Sequence, residues 1–132
     1  MSILIGLHIK RTLEKEADVV RYVGDRIFPL AVPQGIEKYP FVAYDMTGSS
    51  GDSTKDGLTD DVASVRVSVV AKKYEEAISI GNLVRYAFEG KTANYEEFSV
   101  TDCANITYND EYLEDYDAYC LNLNIDFRTE DY

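Results

Sequence analysis

The stretch from 63 to 90 constrains the fold most. It opens with an apolar run, Val65-Arg66-Val67-Ser68-Val69-Val70-Ala71, in which Val65, Val67, Val69 and Ala71 share one face while Arg66 and Ser68 take the other. Period-2 alternation in a β-branched run predicts a strand with one buried face. The period then changes to that of a helix. Ala77, Ile80, Gly81, Val84, Ala87 and Phe88 form one apolar stripe along 74–89, opposite Ser79, Asn82, Arg85 and Glu89. Gly90 follows the last apolar residue, where a left-handed cap needs no Cβ. Gly81 lies on the buried stripe, where glycine costs helix stability, so a close approach of helix to sheet is expected there.

The flanking chain supplies partners for this strand-then-helix unit. Residues 2–16 alternate like a strand at first, but Ile5, Ile9 and Leu13 repeat at helical spacing and residues 11–16 are mostly good helix formers. We read a helix, then a short further turn over 17–23 closed by Gly24. Arg26-Ile27-Phe28-Pro29-Leu30-Ala31-Val32-Pro33-Gln34-Gly35 reads as extended. Its two prolines lack backbone donors, which places it at a sheet edge or across the surface. A strand is predicted over 41–46. Residues 48–61 contain three glycines, several small polar residues and little to bury, and are expected to be a mobile loop joining two strands. Residues 98–108 and 118–127 read as two further strands, the second with a clean in/out pattern. The acidic segment 109–117 is the expected tip of their hairpin.

The expected architecture is therefore a single α+β domain over 1–132, a mostly antiparallel sheet of about four strands with two helices packed on one face. A chain of 132 residues is long enough for a real core. No window reaches the roughly 18 to 20 apolar residues of a membrane span, and the apolar start has no basic residues before it, which argues against a secretory signal. The two cysteines, Cys103 and Cys120, match no metal spacing and are too few for a disulfide framework. They are expected to be free thiols in a reducing cytoplasm.

Charge disfavours one class of partner. Of the net −11, residues 95–132 carry −10, from 11 acidic residues and one basic one, Arg128. Such a surface repels nucleic acid, so specific nucleic-acid binding is disfavoured, although DNA could still slide past it.

Candidate chemistry is sparse. His8 is the only histidine, and no nucleophile with a positioned base can be assembled around it, so it is expected at a helix surface or boundary. Asp110, Glu111, Glu114, Asp115 and Asp117 form an oxygen-rich tip, but without the spacing of a calcium loop. Gly48-Ser49-Ser50-Gly51 lacks the Gly-Lys-Ser/Thr ending of a phosphate loop. No catalytic, cofactor-binding or metal residues are assigned, and the chain is expected not to be an enzyme. Tyr108, Tyr112, Tyr116 and Tyr119 interleave with the acids, a mixture suited to a protein interface. The candidate oligomer or partner interface is accordingly Ser49, Asp52, Lys55 and Leu58 in the loop, with Asp110, Glu111, Tyr112, Glu114, Asp115 and Tyr116 in the hairpin.

Three stretches carry a likeness. They are Gly24-Asp25-Arg26-Ile27-Phe28-Pro29 running into Val32-Pro33-Gln34-Gly35, then Tyr39-Pro40-Phe41-Val42-Ala43-Tyr44, then Arg66-Val67-Ser68-Val69-Val70-Ala71 with its helix ending Val84-Arg85-Tyr86-Ala87-Phe88-Glu89-Gly90. In this order, with the closing hairpin, the chain resembles the small tail-completion, or tail-terminator, proteins of long-tailed bacteriophages and prophages. The resemblance implies a structural assembly protein without catalytic residues. Such a protein forms a ring, typically a hexamer, that caps the tail tube and joins tail to head. Tail-tube and head-connector proteins would be its partners. Its place would be the host cytoplasm during assembly, then the head-proximal end of the virion tail. Under that reading the loop orders against neighbours, and the acidic segment lines the bore or meets a basic partner surface. The rival reading is a small cytoplasmic dimeric adaptor or ligand-binding domain that uses the acidic Tyr-rich hairpin.

Overall fold

The computed structural model describes residues 3–30, 38–53 and 59–132, and the side chains of these outside 49–61. Helix α1 spans Ile5–Lys15 and α2 spans Ala17–Val23. Strand β1 is Ile27–Pro29, β2 is Phe41–Ser53 and β3 is Thr59–Ala71. Helix α3 spans Tyr74–Phe88, followed by β4 at Ala93–Asn94, β5 at Phe98–Leu113 and β6 at Ala118–Asp131. The strands form one sheet in the order β1-β2-β3-β6-β5-β4. Among the described residues only the β1–β2 pair is parallel.

The α+β class holds, and the element count is corrected. Among the described residues the sheet has six strands rather than about four, and there are three helices rather than two. The added strands, β1 and β4, have three and two residues and are too short to display a period. β1 does lie at the sheet edge, where its Pro29 is tolerated.

Helical periodicity wins at the N-terminus because it buries more. Ile5, Ile9 and Leu13 are fully buried, whereas Ile3 and Leu7, which a strand would have shared with them, are exposed. The chain turns extended at Glu16 and closes α2 with Gly24 at φ 60°. In α3 the buried residues are Ala77, Ile80, Gly81, Val84, Ala87 and Phe88, the whole expected stripe. Glu75 and Glu76 in its first turn and Arg85 in its last complement the helix dipole.

The helices cover one face of the sheet. Val42 and Tyr44 of β2, Val65, Val67 and Val69 of β3, and Leu123, Ile125 and Phe127 of β6 meet α1 and α3 in the main core. Phe88, Phe98 and Phe127 are fully buried there. Each such side chain stabilises the fold by roughly 1.5–3 kcal/mol. The opposite face is largely polar. Arg66 makes a bidentate pair with Asp45 at 3.1 and 3.0 Å. Ser64 donates to Asp126 and Ser68 to Asn122, at 2.7 and 2.6 Å. One end of this face is apolar, where Phe41, Val70, Ala118 and Cys120 cluster.

Two further expectations change. Much of 48–61 is strand: β2 runs to Ser53 and β3 starts at Thr59, with Gly51 opposite Asp61 and Asp52 opposite Asp60. Backbone ladder bonds need no particular side chain, so a polar, glycine-rich sequence can still pair. Only 54–58 remains between the strands, outside the described residues. Likewise β5 and β6 extend into 109–117, pairing as far as Leu113 opposite Ala118. The tip proper is 114–117. Among the described residues, no helix is long and apolar enough to cross a membrane.

Candidate functional site

Two hairpins carry the candidate residues. The β5–β6 hairpin ends beside the N-terminus of α3. Strand alternation sends Asp110 and Tyr112 to the helix-bearing side and Glu111 to the opposite side. The Tyr74 hydroxyl donates to Asp110 Oδ2 at 2.7 Å, and the Tyr112 hydroxyl donates to Asp117. These bonds hold both phenols above their usual pKa, because a carboxylate acceptor favours the protonated hydroxyl. Rings reinforce the contact: Tyr119 lies 5.3 Å from Tyr112 and 5.7 Å from Tyr74, centroid to centroid. Lys72 ties the tip down by donating to the carbonyls of Tyr116 and Asp117 at 2.5 and 3.2 Å. Asp117 closes the turn at φ 47°, a left-handed position that aspartate tolerates.

The site that results is a hydrogen-bonded hairpin end with an excess of negative charge. Asp110, Glu111, Tyr112, Glu114, Asp115 and Tyr116 are all exposed. Glu111 faces a shallow hollow of about 440 Å³ on the polar side, shared with Arg66, Asn109, Asn122 and Asn124. Among the described residues, no group of three or more His, Cys, Asp or Glu side chains is placed to hold a metal ion.

The second hairpin is β2–β3. Ser49 lies in β2 opposite Ala63, and Asp52 opposite Asp60. Pairing of β3 with β6 stops at Val62, so 51–53 and 59–61 form a two-stranded arm that outruns the six-stranded body. Lys55 and Leu58 lie outside the described residues. The described candidate residues therefore lie on two separate hairpins.

A protein-family model for "Tail completion protein gp17" matches residues 8–130, from α1 to the end of β6. The chain belongs to the tail completion protein gp17 family. It is thus a bacteriophage-type structural protein of the tail-completion class. The same fold occurs in a solved structure titled "Virion of native gene transfer agent (GTA) particle". That match has a TM-score of 0.76 and 18% sequence identity, over 92% of this chain and 91% of the other. No curated protein matches the sequence.

In this tail completion protein His8 is not at a surface or boundary, which corrects the sequence expectation. It is 3% exposed, ringed edge-on by Phe88, Tyr95 and Phe127. Its Nδ1 lies 2.7 Å from the Tyr95 hydroxyl and 3.3 Å from Thr12 Oγ1, while Nε2 has no partner among the described residues. Burial lowers its pKa to about 4, so the ring is neutral at pH 7. The partner that buries it, Tyr95, is 87 residues away, a separation that leaves no trace in local pattern. Both cysteines are free. Burial pushes each thiol up to about 11, so neither is a thiolate nucleophile at neutral pH.

Proposed function

We propose that this tail completion protein assembles as a hexameric ring that terminates the tail tube and joins tail to head. The observation that carries the reading is the family match, which spans the fold from α1 to β6. The shared fold with a chain in a gene transfer agent virion agrees with it. Assembly in the host cytoplasm and residence at the head-proximal end of the tail follow from that role. Tail-tube and head-connector proteins are the partners, and DNA passes through the bore without specific binding, since a net charge of −11 repels phosphate.

The β2–β3 arm is the part best suited to reach a neighbour. It outruns the body of the sheet and has no further strand beside it there among the described residues. A two-stranded ribbon is marginal in water and gains from packing against another chain. Ser49, Asp52, Lys55 and Leu58 are proposed as residues of that contact.

Native mass and negative-stain images across concentration, alone and with the tail-tube protein, test the reading. Closed rings, or caps on tube ends, are expected. A stable two-fold dimer that ignores the tube would overturn it in favour of a dimeric adaptor.

A further inference from the structure

The two ends of α3 lie beside surfaces with an excess of opposite charge. At its N-terminal end stands the β5–β6 tip, anchored by Lys72 and Tyr74. Among the described residues, Glu111, Glu114 and Asp115 have no cation within ion-pairing distance. At the C-terminal end a cleft of about 200 Å³ opens between α1 and the turn after α3. Its cations are Arg11, Lys15 and Lys91, its floor includes His8 and Thr12, and Glu16 is the one acid on its wall.

These cations differ from four others in the chain. Lys10, Arg21, Arg66 and Arg85 each face an acid within 4.0 Å. Among the described residues Arg11, Lys15 and Lys91 have no acid within that distance, and Arg11 instead lies 5.0 Å over the Tyr95 ring. In a chain of net charge −11, three cations against the single acid Glu16 in one concave place favour a carboxylate-bearing occupant.

We propose that this cleft receives the acidic β5–β6 hairpin end of a second copy of the chain. Only its choice of occupant rests on the ring reading. The 15 residues of α3 separate the two surfaces by roughly 22 Å, at about 1.5 Å per residue. One copy therefore cannot join its own tip to its own cleft. The tip of each copy meets the cleft of the next, which is a heterologous, head-to-tail contact, the kind that closes into rings. The tip is suited to insertion because Lys72 and the Tyr74–Asp110 bond already order it, so little conformational freedom is lost on docking.

The test is carbodiimide coupling of a mixture of ¹⁴N- and ¹⁵N-labelled full-length chains, with and without the tail-tube protein. Mixed-isotope links from Lys15 or Lys91 to Glu111, Glu114 or Asp115 are expected, and should fade in high salt. In parallel, E114K/D115K and K15E/K91E should each raise the half-assembly concentration by roughly tenfold or more, and mixing the two variants should restore it. All four positions are exposed, so folding is checked by circular dichroism rather than assumed. Rings that form equally well with either variant, or that link elsewhere, overturn this inference and leave the ring standing. The expected links in open chains rather than closed rings support the contact and overturn the ring. A K15E/K91E variant that assembles normally but loses binding to DNA overturns the inference in favour of a phosphate-binding cleft. Chains that never associate, with or without tube, overturn both.

Discussion

Gly81 of α3 lies against Leu121 of β6 so closely that a Cβ on Gly81 would stand 2.0 Å from Leu121 Cδ2. The helix sits on the sheet so closely that a side chain at 81 requires Leu121 to move. Gly81→Ala therefore sets a gain in helix propensity of about 1 kcal/mol against an overpacking cost of roughly 1–3 kcal/mol. We expect a net loss of about 1 kcal/mol, softened because Leu121 borders a groove into which it can turn. In a L121A background the same substitution should stabilise. Urea unfolding of the four-member cycle measures the coupling, and additive effects would show that the contact is not limiting.

His8 predicts a pH dependence. Its pKa is about 4 in the folded chain against 6.5 unfolded, so the unfolded state takes up the proton first. This loss of stability is absent above about pH 6.5 and accumulates as pH falls toward 4. Its total is on the order of 3 kcal/mol, at about 1.4 kcal/mol per pKa unit. His8→Phe should flatten the stability profile across this window, read by denaturant melts at several pH values. An unchanged slope would mean that other groups cause it.

The hairpin end can be read by titration. Tyr74 is held above its usual value of 10.0 first by its bond to Asp110. Asp110→Asn removes the charged acceptor and should bring one tyrosine back toward 10, seen by phenolate absorbance against a Tyr74→Phe control. No shift would mean that the bond does not form in solution.

The thiols should be slow. Cys120 is buried and raised to about 11, and half-buried Cys103 is raised equally. Thiol reagents at pH 8 should modify both well below the rate of the unfolded chain, with Cys120 the slower. A fast Cys120 would mean that the Phe41–Val70 end of the sheet opens.

The arm separates folding from assembly. Replacing 54–58 with Asn-Gly, a two-residue turn suited to a hairpin, leaves the Ser53–Thr59 pair intact. Monomer stability should change by about 0.5 kcal/mol or less. Ring formation should weaken, read by native mass, and unimpaired rings would remove the arm from the interface.

Local pattern by itself determined the strand at 65–71, the α3 stripe down to Gly81 and Gly90, the α1 face of Ile5, Ile9 and Leu13, and the in/out order of β6. In each, burial of one face imposes a period that neighbouring residues display. The exposed acidic and tyrosine residues of the hairpin were legible for the same reason, since nothing apolar spaces them toward a core. Tertiary structure alone decided the rest. β1 and β4 exist only because longer strands offer them an edge, and the arm over 51–53 and 59–61 pairs through backbone groups that no side chain announces. His8 became a core residue when Tyr95 and Phe127, remote in sequence, closed over it. Lys91 came beside Arg11 and Lys15 only because α3 carries the chain back along the sheet to the end of α1. Charge has no period, so a cluster drawn from distant segments becomes visible only once the chain has folded.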